Sequence, residues 1–201
     1  LDKIIEAYTV GDDFILDQKL AYYDCLASKV HADMLGKLGV LSGEETDKLN
    51  KELDAIISLI KKGDFKILPE QEDCHTAIES LLTQSLGDLG KKIHTARSRN
   101  DQVLVAMRLY LKDQIDNCMS LCKDLMDAIK SFKGENGAIV FPGYTHMRKA
   151  MPSSIELWAS CYSDSMKDNL VLLTAVLKIL DQSPLGSAAG YGVPMEIDRK
   201  F

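Results

Sequence analysis

Apolar residues recur at steps of three and four along almost the whole chain, and no stretch alternates convincingly with period two. That pattern predicts an all-α protein. A first helix is expected over about Asp13 to Lys37, stopping near Gly39. Ser42-Gly-Glu-Glu45 has capping-box spacing, and the helix it opens should run to about Lys62, before Gly63. Asp64 to Glu70 contains Pro69 and reads as a loop. A further helix is expected from about Glu72 to Leu86, ending near Gly87 and Gly90.

From Asp101 the pattern changes. Leu111, Ile115, Cys118, Cys122, Leu125 and Ile129 step by four, three, four, three and four residues, a heptad seam. A helix of roughly 30 residues, about 45 Å long, needs neighbours of similar length. After a loop from Gly137 to Pro152, a second long helix places Ile155, Trp158, Tyr162, Met166, Leu173 and Leu180 near one face. Two long helices joined by a loop suggest a bundle, and a stripe of this kind is core rather than a cofactor site. The expected organisation is a small helical N-terminal domain over 1–90, then the start of a long helical bundle over 91–201.

Composition narrows the classes. The 201 residues are 46% hydrophobic and 27% charged, as in ordinary globular proteins. A formal charge of −6 argues against nucleic acid as a partner, which needs a basic face. No apolar run is expected to approach the roughly 18 residues of a membrane span, so no membrane partner is implied. Leu1-Asp-Lys-Ile-Ile-Glu6 lacks a secretory layout, and Leu1 in place of Met suggests that the natural start is absent. The five cysteines (Cys25, Cys74, Cys118, Cys122 and Cys161) are odd in number and form no Cys-x-x-Cys pair. This argues against a disulfide framework or a zinc site and suits a reduced, cytoplasmic protein. Cys118 and Cys122 read as small core residues.

The densest polar chemistry lies in His94-Thr-Ala-Arg-Ser-Arg-Asn-Asp-Gln102. Forked guanidinium and amide donors at this density suit a small polyanion, while a solvated loop between helices has the same composition. About forty residues on comes Phe141-Pro-Gly-Tyr-Thr-His-Met-Arg-Lys-Ala-Met-Pro152. Its His146 can move a proton near neutral pH, and the turn-forming run before it should hold it at the mouth of a helix. A loop histidine capping a helix end is the plainer alternative.

Together the two segments resemble the argininosuccinate lyases of the fumarase/aspartase superfamily. The first family motif, His-Thr-Gly-Arg-Ser-Arg-Asn-Asp-Gln, differs here only at Ala96. The second, Pro-Gly-Tyr-Thr-His-Leu-Gln, is matched from Pro142 to His146. Glu72-Asp-Cys-His-Thr-Ala-Ile-Glu79 and Ser183-Pro-Leu-Gly-Ser-Ala-Ala-Gly190 extend the resemblance, which covers Tyr8 to Phe201.

The resemblance implies β-elimination of argininosuccinate to fumarate and arginine, with no metal or organic cofactor. It implies His146 as the acid/base group and Asn100 and Thr145 as substrate-binding residues. Arg97, Ser98 and Arg99 lie in the same motif and are further substrate-binding candidates; Arg99 is the candidate carboxylate clamp, and Arg97 could equally form a structural ion pair. His75 is a second-tier candidate, catalytic or structural. His94 orients its loop, and His31 reads as a helix-face residue. A cytoplasmic homotetramer with active sites shared between subunits is also implied.

A third family motif, Gly-Ser-Ser-x-Met-Pro-x-Lys-x-Asn-Pro, does not occur in these residues. Because it carries the serine for the other proton transfer, the 201 residues alone are expected to show little or no lyase activity. Two further readings stand beside this one: a non-catalytic structural protein on the same fold, of the crystallin kind, and a related fumarate-releasing lyase. At Ala96, a positive φ would strain the loop, and Arg148 places a charge beside the second motif.

Overall fold

The computed structural model describes residues 3–201, without the side chains of Lys3, Glu6 and Ala7. The expectation drawn from Leu1 falls outside the described residues. Among the described residues the fold is all-α apart from one hairpin: helices α1 (Lys3–Val10), α2 (Asp13–Leu16), α3 (Ala21–Lys37), α4 (Gly43–Lys62), α5 (Cys74–Leu86), α6 (Asp88–Lys91), α7 (Arg99–Asn136) and α8 (Ile155–Leu180), with strands β1 (Val140–Thr145) and β2 (Arg148–Ser154) before α8.

Local chemistry explains the boundaries. Ser42 Oγ accepts from the Glu45 N–H at 3.2 Å while Glu45 Oε2 accepts from the Ser42 N–H at 2.8 Å, the expected capping box. Gly63 closes α4 in the left-handed conformation, φ 79°. Asp73 caps α5 through the Thr76 N–H, so this helix starts two residues later than expected. The first expected helix is broken: α2 passes into a 3-10 turn over Asp17–Lys19 before α3 begins. Gly90 is required by packing, since a Cβ there would lie 2.4 Å from the Leu82 backbone.

The chain divides into two compact units. The first runs to Tyr110 and includes Gln182–Phe201; its core joins Leu35 of α3, Leu49, Leu53 and Ile56 of α4, and Ile78 and Leu82 of α5. Helix α3 has a second buried face, with Asp24, Ser28 and His31 at helical spacing. These polar groups can be enclosed only if they find partners.

The second unit, Leu111–Asp181, consists of most of α7, the hairpin and α8. The two helices run antiparallel, tied by Lys133 to Glu156 and Ser160 near one end and by Lys112 to Asp181 at the other. Lys112, Ile115, Met119, Cys122, Met126, Ile129 and Lys133 form the half-buried heptad row of α7. Of the expected seam, Ile115, Cys122 and Ile129 lie on this row, whereas Cys118 and Leu125 are exposed.

Two further expectations are corrected here. The 137–152 loop is an antiparallel hairpin with Val140 opposite Ser154 and Thr145 opposite Arg148. Pro142 faces Pro152, neither with an N–H to donate, and the register shifts at Gly143. Those residues hide the strands from a propensity reading. Secondly, Ile155–Ser187 contains an 18-residue window of mean hydropathy 1.2, long and apolar enough by composition to cross a membrane. Apolar residues on several faces also mark a helix enclosed by other helices, and Asp164, Lys167 and Asp168 interrupt α8.

Candidate functional site

The 94–102 segment is held from below by a buried polar network. Arg97, only 3% exposed, donates from Nη1 to Ser28 Oγ at 2.9 Å, and Ser28 in turn donates to Asp24 at 3.5 Å. The Gln102 amide donates to both Asp24 oxygens at 3.2 Å. His75 Nδ1 lies 3.0 Å from Asp24 Oδ2, with both side chains fully enclosed. Burial by itself would push the Asp24 carboxyl up. Its contact with His75, the Arg97 charge and the Gln102 amide outweigh burial and hold it below the ordinary value. Burial pulls the Arg97 guanidinium down, against the opposing pull of Asp24 and Glu79.

Sequence reasoning missed Asp24 and Gln102 as organisers of the loop, and it misplaced His31. That imidazole is 5% exposed and its Nε2 donates to the Thr95 carbonyl at 2.9 Å. The available signal was the Asp24, Ser28, His31 spacing, which puts three polar groups on one face of an otherwise apolar helix.

Burial, aided by the Arg97 charge, lowers the His31 pKa to about 4. The folded chain therefore keeps His31 neutral where the unfolded chain, near 6.5, takes up a proton. Stability is full above the unfolded value, falls as pH drops from about 6.5 to about 4, and levels off below that. The window amounts to a loss on the order of 3 kcal/mol. Urea unfolding at a series of pH values should show this slope, and His31→Gln should flatten it.

Above the network, Ser98 opens α7. Its Oγ accepts from the Asn100 N–H at 3.3 Å, and its N–H donates to Asp101 Oδ2 at 3.1 Å, a second reciprocal cap. Arg99 Nη1 donates to both oxygens of Asp73 at 2.5 Å and to Thr76 Oγ1 at 3.2 Å. The Arg99 fork thus grips a carboxylate, and in this structure the carboxylate is the chain's own α5 cap. Asn100 is exposed on the first turn of α7. His94 Nδ1 pairs with Glu79 at 2.9 Å, fixing the start of the loop.

Ala96 has φ +64°, and its carbonyl accepts from the Ala189 N–H at 3.1 Å. A left-handed alanine stores strain that glycine avoids. Ala96→Gly should raise stability by about 0.5–1 kcal/mol, once the greater freedom of glycine in the unfolded chain is offset. The check is an upward shift of the urea midpoint at unchanged slope.

In the second unit, Thr145 ends β1 and His146 occupies the hairpin tip, not the mouth of a helix as expected. His146 (φ 49°) and Met147 (φ 63°) form a two-residue turn with both residues left-handed. Such turns favour Asn-Gly, so His-Met is strained there. The turn presents the His146 imidazole to solvent.

The sequence profile of the lyase family matches residues 1–201. The chain belongs to the lyase family. Its relatives include the argininosuccinate lyase of Thermotoga neapolitana, 49% identical over 201 residues, covering all of this chain and 50% of that protein. The argininosuccinate lyase of Xanthomonas oryzae pv. oryzae is 42% identical over 199 residues, covering 99% of this chain and 46% of that one. This lyase chain therefore spans about half the length of the relatives it matches. Among solved structures, EDDS lyase in complex with formate superposes with a TM-score of 0.76 at 23% identity, over 100% of this chain and 39% of that one. Recombinant class II fumarase from Schistosoma mansoni superposes at 0.71 and 17% identity, over 86% and 40%. These likenesses show that the lyase chain has the fumarase/aspartase fold.

Proposed function

We propose that the protein is an argininosuccinate lyase, releasing fumarate and arginine by β-elimination, and that these residues supply part of its active site. The observation that carries the reading is the construction of the 94–102 loop. Arg97 and Gln102 are sunk into the Asp24 network, while Asn100 stays exposed on a capped helix start. A rigid base beneath an exposed amide is what orientation of a dicarboxylate-bearing substrate needs.

In the proposed reaction a base takes the proton from the carbon beside a substrate carboxylate. Negative charge gathers on that carboxylate, and the C–N bond to the guanidino group then breaks. Asn100 of one subunit and Thr145 of another donate to the charged carboxylate, where fixed donors lower the barrier most. Arg99 has five donors; its Nη1 end holds Asp73, and we assign its Nε–Nη2 edge to the substrate. His146 gives its proton to the departing guanidino group. Ser98, Arg97 and His75 position the loop.

The same reading makes the protein a cytoplasmic homotetramer with active sites shared between subunits. Its support is the apolar surface of the second unit, where Leu121, Leu125, Leu157, Trp158, Val171 and Leu172 are 47–72% exposed. Light scattering should give a tetramer mass.

Purified full-length protein should convert argininosuccinate to equal amounts of fumarate and arginine. Failure to turn over or bind argininosuccinate would favour the structural, crystallin-like reading. Fumarate release from adenylosuccinate or aspartate alone would favour a related lyase.

A further inference from the structure

We propose that Asp17, Cys74 and His75 form a binding site for a thiophilic divalent cation of the zinc class, separate from any metal-free lyase chemistry. One ligand atom from each of these residues lies within 4.8 Å of the others. Thiolate, imidazole and carboxylate in a compact group form a donor set suited to Zn²⁺, with a fourth position left for water.

The second observation is the state of His75. Its side chain is fully buried. Its Nδ1 lies 3.0 Å from Asp24 Oδ2. The other nitrogen, Nε2, is enclosed in the protein with no hydrogen-bond partner. A buried ring nitrogen left in this state is costly unless something partners it. Carboxylate against Nδ1 and metal on Nε2 is the usual arrangement for a metal-bound histidine.

The surrounding side chains are acidic. Asp17 lies close to Asp13 and Asp73, and Asp24 is behind the imidazole. Arg99 is committed to Asp73, and Arg97 lies on the Asp24 side. Binding of a dication, with the Cys74 thiol proton passing to solvent, offsets the remaining carboxylate charge. Asp17 is half-buried, which gives the ion a path in, and its carboxylate already accepts from the Cys74 N–H at 3.3 Å.

The test is titration of metal-stripped full-length protein with Co²⁺, followed by its absorption spectrum. One Co²⁺ per chain with a strong near-ultraviolet thiolate-to-cobalt band is expected. The band should vanish in Cys74→Ser and survive in Cys118→Ser/Cys122→Ser. Asp24→Asn, which removes the carboxylate behind the imidazole, should weaken Zn²⁺ binding about 10- to 100-fold. Absence of the band, or its loss with Cys118 and Cys122 instead of Cys74, overturns the proposal. X-ray absorption of the unmutated zinc-loaded protein needs no variant to fold. One sulfur near about 2.3 Å with nitrogen and oxygen near about 2.0–2.1 Å supports the site, and an all-oxygen shell overturns it. Neither readout depends on turnover, so this site and the lyase reading can fail separately.

Discussion

His146→Asn should lower fumarate release by about 10²- to 10⁴-fold, the usual contribution of a positioned general acid, while the protein stays folded. Both halves of that expectation come from the hairpin tip. At φ 49° the backbone of residue 146 is left-handed, and asparagine enters that region with less strain than most residues. The variant should therefore keep the turn and lose only the titrating group. The comparison that matters is kcat against thermal midpoint, measured on the same preparation. If kcat is unchanged, the acid has been assigned to the wrong residue. If activity and midpoint fall together, His146 supports the hairpin and its chemical role is unproven. A replacement by valine should fail differently, because a β-branched residue resists positive φ, and so it makes a useful contrast.

The largest stability loss should follow Asp24→Ala, at about 3–5 kcal/mol. Asp24 is fully buried and receives Gln102 on both oxygens, with His75 and Ser28 also in contact. Removing it leaves Arg97 enclosed without its nearest counter-charge, and the penalty for an unpaired buried charge exceeds the loss of any one hydrogen bond. Asp24→Ala/Arg97→Met removes both charges and should recover a substantial part of the loss. Additive destabilisation in that double variant would mean that the two residues do not act as a pair. Because the network lies under Asn100, the single variant should also weaken substrate binding at temperatures where it is still folded.

Much of this protein was legible from local signals. Ser42 and Glu45 announce the start of α4, and Gly63 its end, because capping depends on residues three or four apart. The long helices of the second unit show in their periodicity for the same reason. The dense polar segments at 94–102 and 141–152 point to their chemistry by composition, and the strain at Ala96 follows from one side chain where the related motif has glycine. The hairpin was not legible. Two prolines and a glycine are poor strand formers, and the ribbon rests on pairing between residues up to fourteen apart.

What the sequence determined by itself is the set of helices, the two polar motifs and the chemical type of ligand they suit. Only the tertiary structure decided which of those polar residues are enclosed and which remain open. Arg97 and Arg99 are two positions apart, yet one is sunk against Ser28 and the other grips Asp73 nearer the surface. Their partners come from α3 and from the cap of α5, dozens of residues away. Asp17 meets Cys74 and His75 across a comparable gap. Burial and charge compensation are properties of the packed chain, so the role of each polar group depends on neighbours that sequence spacing does not bring together.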